Sequence, residues 1–218
     1  MNARPPTVFV VDDDPPVRKS ISRLLRVAGF AVAVFASAEE FLAQYDPQTL
    51  GCLLLDVAMP TLNGLELQGI LAKEGSLLPI IFLTGTSDIP ESVQAMKQGA
   101  SDFLTKPVND EELLAAVRVA IEKHRALRQG QAELSEIRAR LDTLTPRERE
   151  VLDYVVAGKL NKQIAGDLGT VEQTVKAHRG HIMKKMKVHS VAELVRLTER
   201  CREKVAFIDE PPVSHSRR

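Results

Sequence analysis

The sequence predicts an α/β fold, a five-stranded doubly wound parallel sheet, followed by a small all-α domain of four short helices. Three observations carry that expectation. Short apolar runs alternate with helix-forming stretches through the first 121 residues. Two of the runs end directly in acid: Val8-Phe9-Val10-Val11 meets Asp12-Asp13-Asp14, and Cys52-Leu53-Leu54-Leu55 meets Asp56. From Thr145 onward the strand signals stop, and helix-start signals recur at short intervals.

Taken in order, strands fall near 7–11, 30–35, 52–55, 79–83 and 102–105, and helices near 15–28, 38–45, 64–73, 88–98 and 110–123. The strands are mostly continuous apolar runs, as expected when helices cover both faces of a parallel sheet. Asp14 before Pro15-Pro16 reads as an N-cap with proline in the first helical turn. Ser37 stands three residues before Glu40, and Asn109 three before Glu112, which is capping-box spacing. Gly29, Gly51, Gly64 and Gly99 punctuate element ends.

Ligands in open α/β sheets bind beyond the carboxyl ends of the strands. Asp12, Asp13 and Asp56 all belong there, and three such carboxylates repel one another unless a divalent cation joins them. Mg²⁺, with its preference for oxygen, is the natural candidate. The fourth run, Pro79-Ile80-Ile81-Phe82-Leu83, ends at the hydroxyl of Thr84, and the fifth, Asp102-Phe103-Leu104-Thr105, ends at Lys106-Pro107. Acids for a metal, with a hydroxyl and an ammonium beside them, suit a bound phosphoryl group. Taken singly, Thr84 reads as a strand-end hydroxyl bonded to backbone and Lys106 as a solvated charge. The acids resist so bland a reading, because an unpaired buried carboxylate is costly.

That ordered set of residues resembles a two-component response regulator, with a flavodoxin-like receiver domain over residues 7–121. The resemblance implies Asp56 as phosphoacceptor and Asp13 as a direct Mg²⁺ (or Mn²⁺) ligand. It also implies Asp12, Asp56 and the backbone carbonyl of Ala58 around the metal, Thr84 as switch hydroxyl, and Lys106 as phosphate-binding lysine. Phe103 takes the switch-aromatic position, often Tyr in the family, and Val108 stands where Phe is usual. The family's Lys-Pro peptide is commonly cis.

Length, composition and charge fit that reading. At 218 residues the chain is about one to two domains. No apolar run approaches the roughly 18 residues of a membrane span, and the first residues do not form a signal peptide. Two distant cysteines, Cys52 and Cys201, fit a reducing cytoplasm better than a disulfide framework. Residues 1–121 carry 9 Lys+Arg against 15 Asp+Glu, and residues 122–218 carry 20 against 14, an acidic half joined to a basic one. The basic half suggests a nucleic-acid partner.

Residues 122–143 read as a helical linker. Leu127, Leu134 and Leu141 recur at seven, with Ile137 and Leu144 offset, a pattern open to two readings: a short coiled coil between protomers, interrupted by Gly130, or a helix packing locally. Thr145-Pro146-Arg147-Glu148 then starts a helix that stops at Gly158. Asn161 opens a second, Lys162 to Leu168; Thr170, with Gln173 three residues on, caps a third reaching about Met186; Ser190 starts a fourth. A tight Gly-containing turn between the second and third describes a helix-turn-helix.

Over 138–203 the chain resembles the LuxR-type module. The motif residues are Leu144-Thr145-Pro146-Arg147-Glu148-Arg149-Glu150-Val151-Leu152, Asn161-Lys162-Gln163-Ile164-Ala165, and Thr174-Val175-Lys176-Ala177-His178. Together the two halves resemble a FixJ/NarL-type transcription factor. That implies a sensor histidine kinase, promoter DNA and RNA polymerase as partners, a homodimer on phosphorylation, and no membrane association. Val175, His178, Ile182 and Met186 share one face of the third helix, with His178 expected in the core. Gln173, Lys176, Arg179 and Gly180 share the opposite face and can reach bases and phosphates. Lys184, Lys185 and Lys187 at its end, and Lys162 at the start of the preceding helix, suit phosphates. Gly180 is small where the family commonly carries a larger side chain. Residues 205–218 read as a disordered tail.

The function expected is a phosphorylation-activated transcription regulator, not an enzyme. An aspartyl-phosphate phosphatase would want a second Asp two residues beyond Asp56, where Ala58 stands, and no Walker-type loop is present. A constitutive DNA binder whose receiver only docks a partner is the remaining alternative.

Overall fold

The structure is a computed structural model that describes residues 5–85 and 99–209, the side chains of 202–209 excepted. The chain divides into two compact units, the first ending at Gln129 and the second beginning at Gly130. The helix expected at 88–98 lies outside the described residues.

In the first unit, β1 (Thr7–Val11), β2 (Ala31–Phe35), β3 (Gly51–Asp56), β4 (Ile80–Thr84) and β5 (Asp102–Thr105) form one parallel sheet in the order β2-β1-β3-β4-β5. Alternation along each strand sorts the apolar side chains into two cores. Phe9, Val11, Leu53, Leu55 and Phe82 face one side, against Phe41 of α2 (Ala38–Gln44) and Leu67 and Leu71 of α3 (Gly64–Lys73). Val8, Val10, Leu54, Ile81 and Leu83 face the other, against Ile21 and Leu25 of α1 (Pro15–Val27) and Leu113 and Val117 of α4 (Asp110–Asp142). Burying each such Leu or Phe contributes about 1.5–3 kcal/mol. The strand order reverses between β1 and β3, so their carboxyl ends open the crevice where a ligand fits.

Local capping differs in detail from expectation. Asp14 occupies the N-cap of α1, but its side chain accepts no capping bond; its own N–H donates instead to Asp12 Oδ1 at 2.8 Å. Ser37 Oγ accepts from the Glu40 N–H at 3.2 Å, while Glu40 reaches back to the Ala36 N–H, one residue short of a closed box. Asn109 Oδ1 accepts from the N–H groups of Glu111 and Glu112.

The largest departure is α4. It does not stop near 123 and is not interrupted at Gly130, but runs continuously for 33 residues. A glycine costs a helix interior roughly 0.8–1.0 kcal/mol relative to Ala, too little to break one tied down by packing on both sides of it. Leu134, Ile137 and Leu144 are buried, and Ile137 and Leu144 belong to the core of the second unit, with Leu141 packed against it. Leu127 alone of the heptad positions is exposed, and the segment's C-terminal part packs locally within the second unit.

The second unit continues with α5 (Pro146–Val156), α6 (Asn161–Asp167), α7 (Glu172–Met186) and α8 (Val191–Asp209) around Val151, Leu152, Ile164, Val175, Ile182, Met186 and Leu194. Thr145 and Glu148 form the complete capping box at α5. The third helix starts later than expected: Val171, not Thr170, is its N-cap, and no side chain caps it. α8 extends to Asp209, so the first residues of the expected tail are helical, and 210–218 lie outside the described residues. Among the described residues no helix is long and apolar enough to cross a membrane.

Candidate functional site

The carboxyl ends of β1, β3, β4 and β5 bring Asp12, Asp56, Thr84 and Lys106 to one edge of the sheet. Asp12 is fully buried, Asp56 is 7% exposed and Thr84 2%. Carboxylate oxygens of Asp12, Asp13 and Asp56 lie within 4.8 Å of one another, with Asp13 at the exposed rim. Lys106 Nζ bridges two of them, 2.7 Å from Asp12 Oδ2 and 3.0 Å from Asp56 Oδ2. The Lys106-Pro107 peptide is cis.

Electrostatics in the pocket are strained. Burial pushes the Asp56 carboxyl above its usual range; Lys106 pulls it down, Asp12 pushes it up, and the Ala58 N–H bond pulls it down. Burial works against the Lys106 ammonium too, but the bonds to Asp12 and Asp56 outweigh it and raise its pKa. One ammonium among three carboxylates leaves negative charge uncompensated. Oxygen donors at this spacing, in this excess, fit a hard divalent cation.

Thr84 Oγ1 donates to the Gly85 carbonyl at 3.1 Å, and Phe103 is half-buried, its ring 6.2 Å from that of Phe82. Two residues beyond the expected set shape the pocket. Arg18 of α1 donates to the Asp12 carbonyl; its position one turn into the helix was the only hint in the sequence. Gly64 at the start of α3 lies under Asp56, where an added Cβ would stand 2.3 Å from the Asp56 carbonyl oxygen. In the sequence alone this glycine marks only the end of an element.

In the second unit, α6 and α7 form the helix pair. Val175, Ile182 and Met186 of α7 face the core as expected, whereas His178 is half-buried at its edge rather than within it. Gln173, Lys176, Gly180 and Lys184 are exposed, as is Lys162 on α6. Arg179 and Lys185 are not free surface cations. Arg179 Nη1 donates to Asn161 Oδ1 at 2.7 Å, tying α7 to the first residue of α6. Lys185 Nζ lies 2.6 Å from Glu148 Oε2, whose side chain is 5% exposed, and also donates to the Thr143 carbonyl at 3.0 Å. The Lys185 ammonium, aided by the Thr145 N–H, holds the Glu148 carboxyl down at about 2. Lys185, expected at the end of the helix to serve phosphates, is thus also bound to a nearly buried carboxylate within its own unit. Its 37-residue separation from Glu148 left no local signal.

Comparison with known proteins matches a family to each unit. Residues 8–118 match the family described as response regulator receiver domain, and residues 142–198 match bacterial regulatory proteins, luxR family. Nodulation protein W of Bradyrhizobium diazoefficiens is 47% identical over 88% of this chain and 85% of its own. Transcriptional regulatory protein FixJ of Rhizobium meliloti is 44% identical over 88% of this chain and 94% of its own. Among solved structures, the response regulator StyR superposes with a TM-score of 0.82 at 45% identity, covering 90% of this chain and 99% of that one.

Proposed function

Since this chain belongs to the response regulators, as a receiver domain joined to a LuxR-type DNA-binding domain, we propose that Asp56 is its phosphoacceptor. The family regulates transcription in dependence on phosphorylation and is not a classical enzyme family; a kinase and DNA are the partners this architecture implies. The observation that carries the assignment is the position of Asp56. It is a nearly buried carboxylate at the end of the middle strand, with Lys106 at 3.0 Å and two further acids within reach.

In the proposed reaction an Asp56 carboxylate oxygen attacks the phosphorus of a sensor histidine kinase's phosphohistidine in line. The P–N bond breaks and the imidazole leaves with its electron pair. Asp12, Asp13, Asp56 and the Ala58 carbonyl are the residues that would hold a Mg²⁺ or Mn²⁺ ion, which when bound supplies neutralisation of charge on the phosphoryl oxygens. Lys106 exchanges its bonds to Asp12 and Asp56 for a phosphoryl oxygen. Thr84 turns its hydroxyl from the Gly85 carbonyl toward another, and Phe103 follows into the space released. The altered surface favours a homodimer, which presents two copies of α7 to promoter DNA about one helical turn apart. RNA polymerase is the further partner, and the cytoplasm the compartment in which kinase and promoter are both met.

On α7 the exposed Gln173, Lys176 and Lys184 are the side chains offered to DNA, with Lys162 of α6 beside the backbone phosphates. Arg179, one of whose donors is held by Asn161, keeps the rest of its guanidinium for DNA. Incubation with acetyl phosphate and Mg²⁺ labels the wild-type protein, and Asp56→Asn loses most of the label. Label retained on Asp56→Asn at the wild-type level excludes Asp56 as acceptor.

A further inference from the structure

Two of the polar ties that hold α7 are reciprocal. Arg140, in the last turn of α4, donates from Nη1 to the Met186 carbonyl at 3.1 Å. Lys185, in the last turn of α7, donates from Nζ to the Thr143 carbonyl at 3.0 Å, just beyond the end of α4. A helix C-terminus leaves its last carbonyls without intrahelical partners and carries partial negative charge. Each of these helix ends is thus capped by a cation from the other. Both cations are themselves fixed. Lys185 is held by the buried carboxylate of Glu148, whose Oε2 also accepts from the Thr145 N–H at 2.8 Å in the cap of α5. Arg140 is held by Glu136 one turn back. Ile137 and Leu144 on one side and Met186 on the other close the apolar core beneath the pair.

We propose that Arg140 and Lys185 are positioning residues for sequence recognition, a cross-cap that sets the axial position and roll of α7, and that neither contacts DNA phosphate. The proposal rests on α7 being the recognition helix. The apolar face of α7 keeps the helix folded against its neighbours, but apolar contact is non-directional and tolerates small slides. Bidentate base readout does not: it needs donors and acceptors at hydrogen-bond distance together, and supporting residues must hold such groups within about 0.5 Å. Directional bonds at the end of α7, backed by a buried carboxylate, supply that restraint.

The test uses the full-length phosphorylated protein. Isotherms are measured on a duplex selected from a randomised pool and on its scrambled counterpart, at several salt concentrations. Arg140→Gln and Lys185→Met are each expected to lose about tenfold, some 1.4 kcal/mol, on the selected duplex. Affinity for the scrambled duplex and the salt slope stay as in wild type, and Lys185→Arg recovers much of the loss. Equal losses on both duplexes with the slope reduced by about one would make these cations phosphate contacts and overturn the proposal; unchanged binding overturns it as well. Lys176→Ala separates the underlying reading from the clamp. If that variant leaves the selected duplex bound as in wild type, α7 is not the recognition helix and the proposal falls with it. If Lys176→Ala weakens binding and the clamp variants do not, the clamp alone falls. Thermal unfolding of each variant is followed in parallel, and if Lys185→Met does not fold, Arg140→Gln decides.

Discussion

Asp56 occupies a position that burial makes unfavourable for its charge, with Asp12 adding to the cost and Lys106 offsetting part of it. Its carboxyl pKa is raised in the folded chain, so the folded state holds a proton more tightly than the unfolded one. The resulting stability is present at low pH and is lost as pH rises through the folded pKa. At neutral pH and without divalent metal, Asp56→Asn should therefore stabilise the first unit. Lys106 keeps Asp12 as partner in the variant, so no ammonium is orphaned. The gain should read as a higher melting temperature of the first unit in the variant. Calorimetry with and without Mg²⁺ checks this: the ion should narrow the gap by stabilising wild type more. A metal-free Asp56→Asn that melts at or below wild type would show that Lys106 already compensates the pocket in full.

At the scale of elements, α4 is joined to the sheet by more than its apolar face. His124, 1% exposed, sets Nδ1 2.8 Å from the carbonyl oxygen and 3.1 Å from the N–H nitrogen of Gly51, the first residue of β3. Gly51 itself admits no side chain, since a Cβ would stand 1.8 Å from the Thr7 carbonyl oxygen. One turn on, Arg128 donates to the Gln48 carbonyl. Burial lowers the His124 pKa, the Gly51 bond opposes the shift, and Arg128 adds to it. The folded state therefore keeps the ring neutral at pH values where the unfolded chain protonates it. Stability is whole above the ordinary histidine value of about 6.5 and declines as pH falls from there toward the depressed value. Chemical denaturation between about pH 7.5 and 5 should show a steeper loss for wild type than for His124→Gln. Parallel pH profiles for the two would mean that another group titrates in this window.

For the whole molecule, phosphorylation has to be converted into DNA affinity, and Thr84 is the residue proposed to begin that conversion. Its hydroxyl now serves the Gly85 carbonyl and does no covalent chemistry in the proposed reaction. Thr84→Ala should thus accept label from acetyl phosphate at close to the wild-type level, yet dimerise poorly when phosphorylated. Because the DNA site is two-fold in the proposed complex, weaker dimerisation carries through to weaker operator binding. Sedimentation of the phosphorylated variant beside wild type is the deciding measurement. A Thr84→Ala dimer as stable as wild type would move the coupling to another residue.

The sequence by itself determined the strands, the parallel sheet and the placing of Asp12, Asp56, Thr84 and Lys106 at one edge. It could do so because an apolar run must be buried and a following polar residue must then lie at the strand's end. Capping signals located α5 and α8 for the same local reason: Thr145 with Glu148, and Ser190 with Glu193, bond within four residues. Tertiary structure decided what pairs across distance. Periodicity said that the segment around Ile137 and Leu141 has an apolar face, but not what lies against it; Ile137 and Leu144 enter the core that α5, α7 and α8 also build. A string of lysines at the end of α7 looks uniformly solvated in sequence. Only folding separates Lys184, left exposed, from Lys185, drawn onto Glu148. Pairings of that kind depend on where two helices cross, and the crossing is set by the whole core rather than by either local sequence.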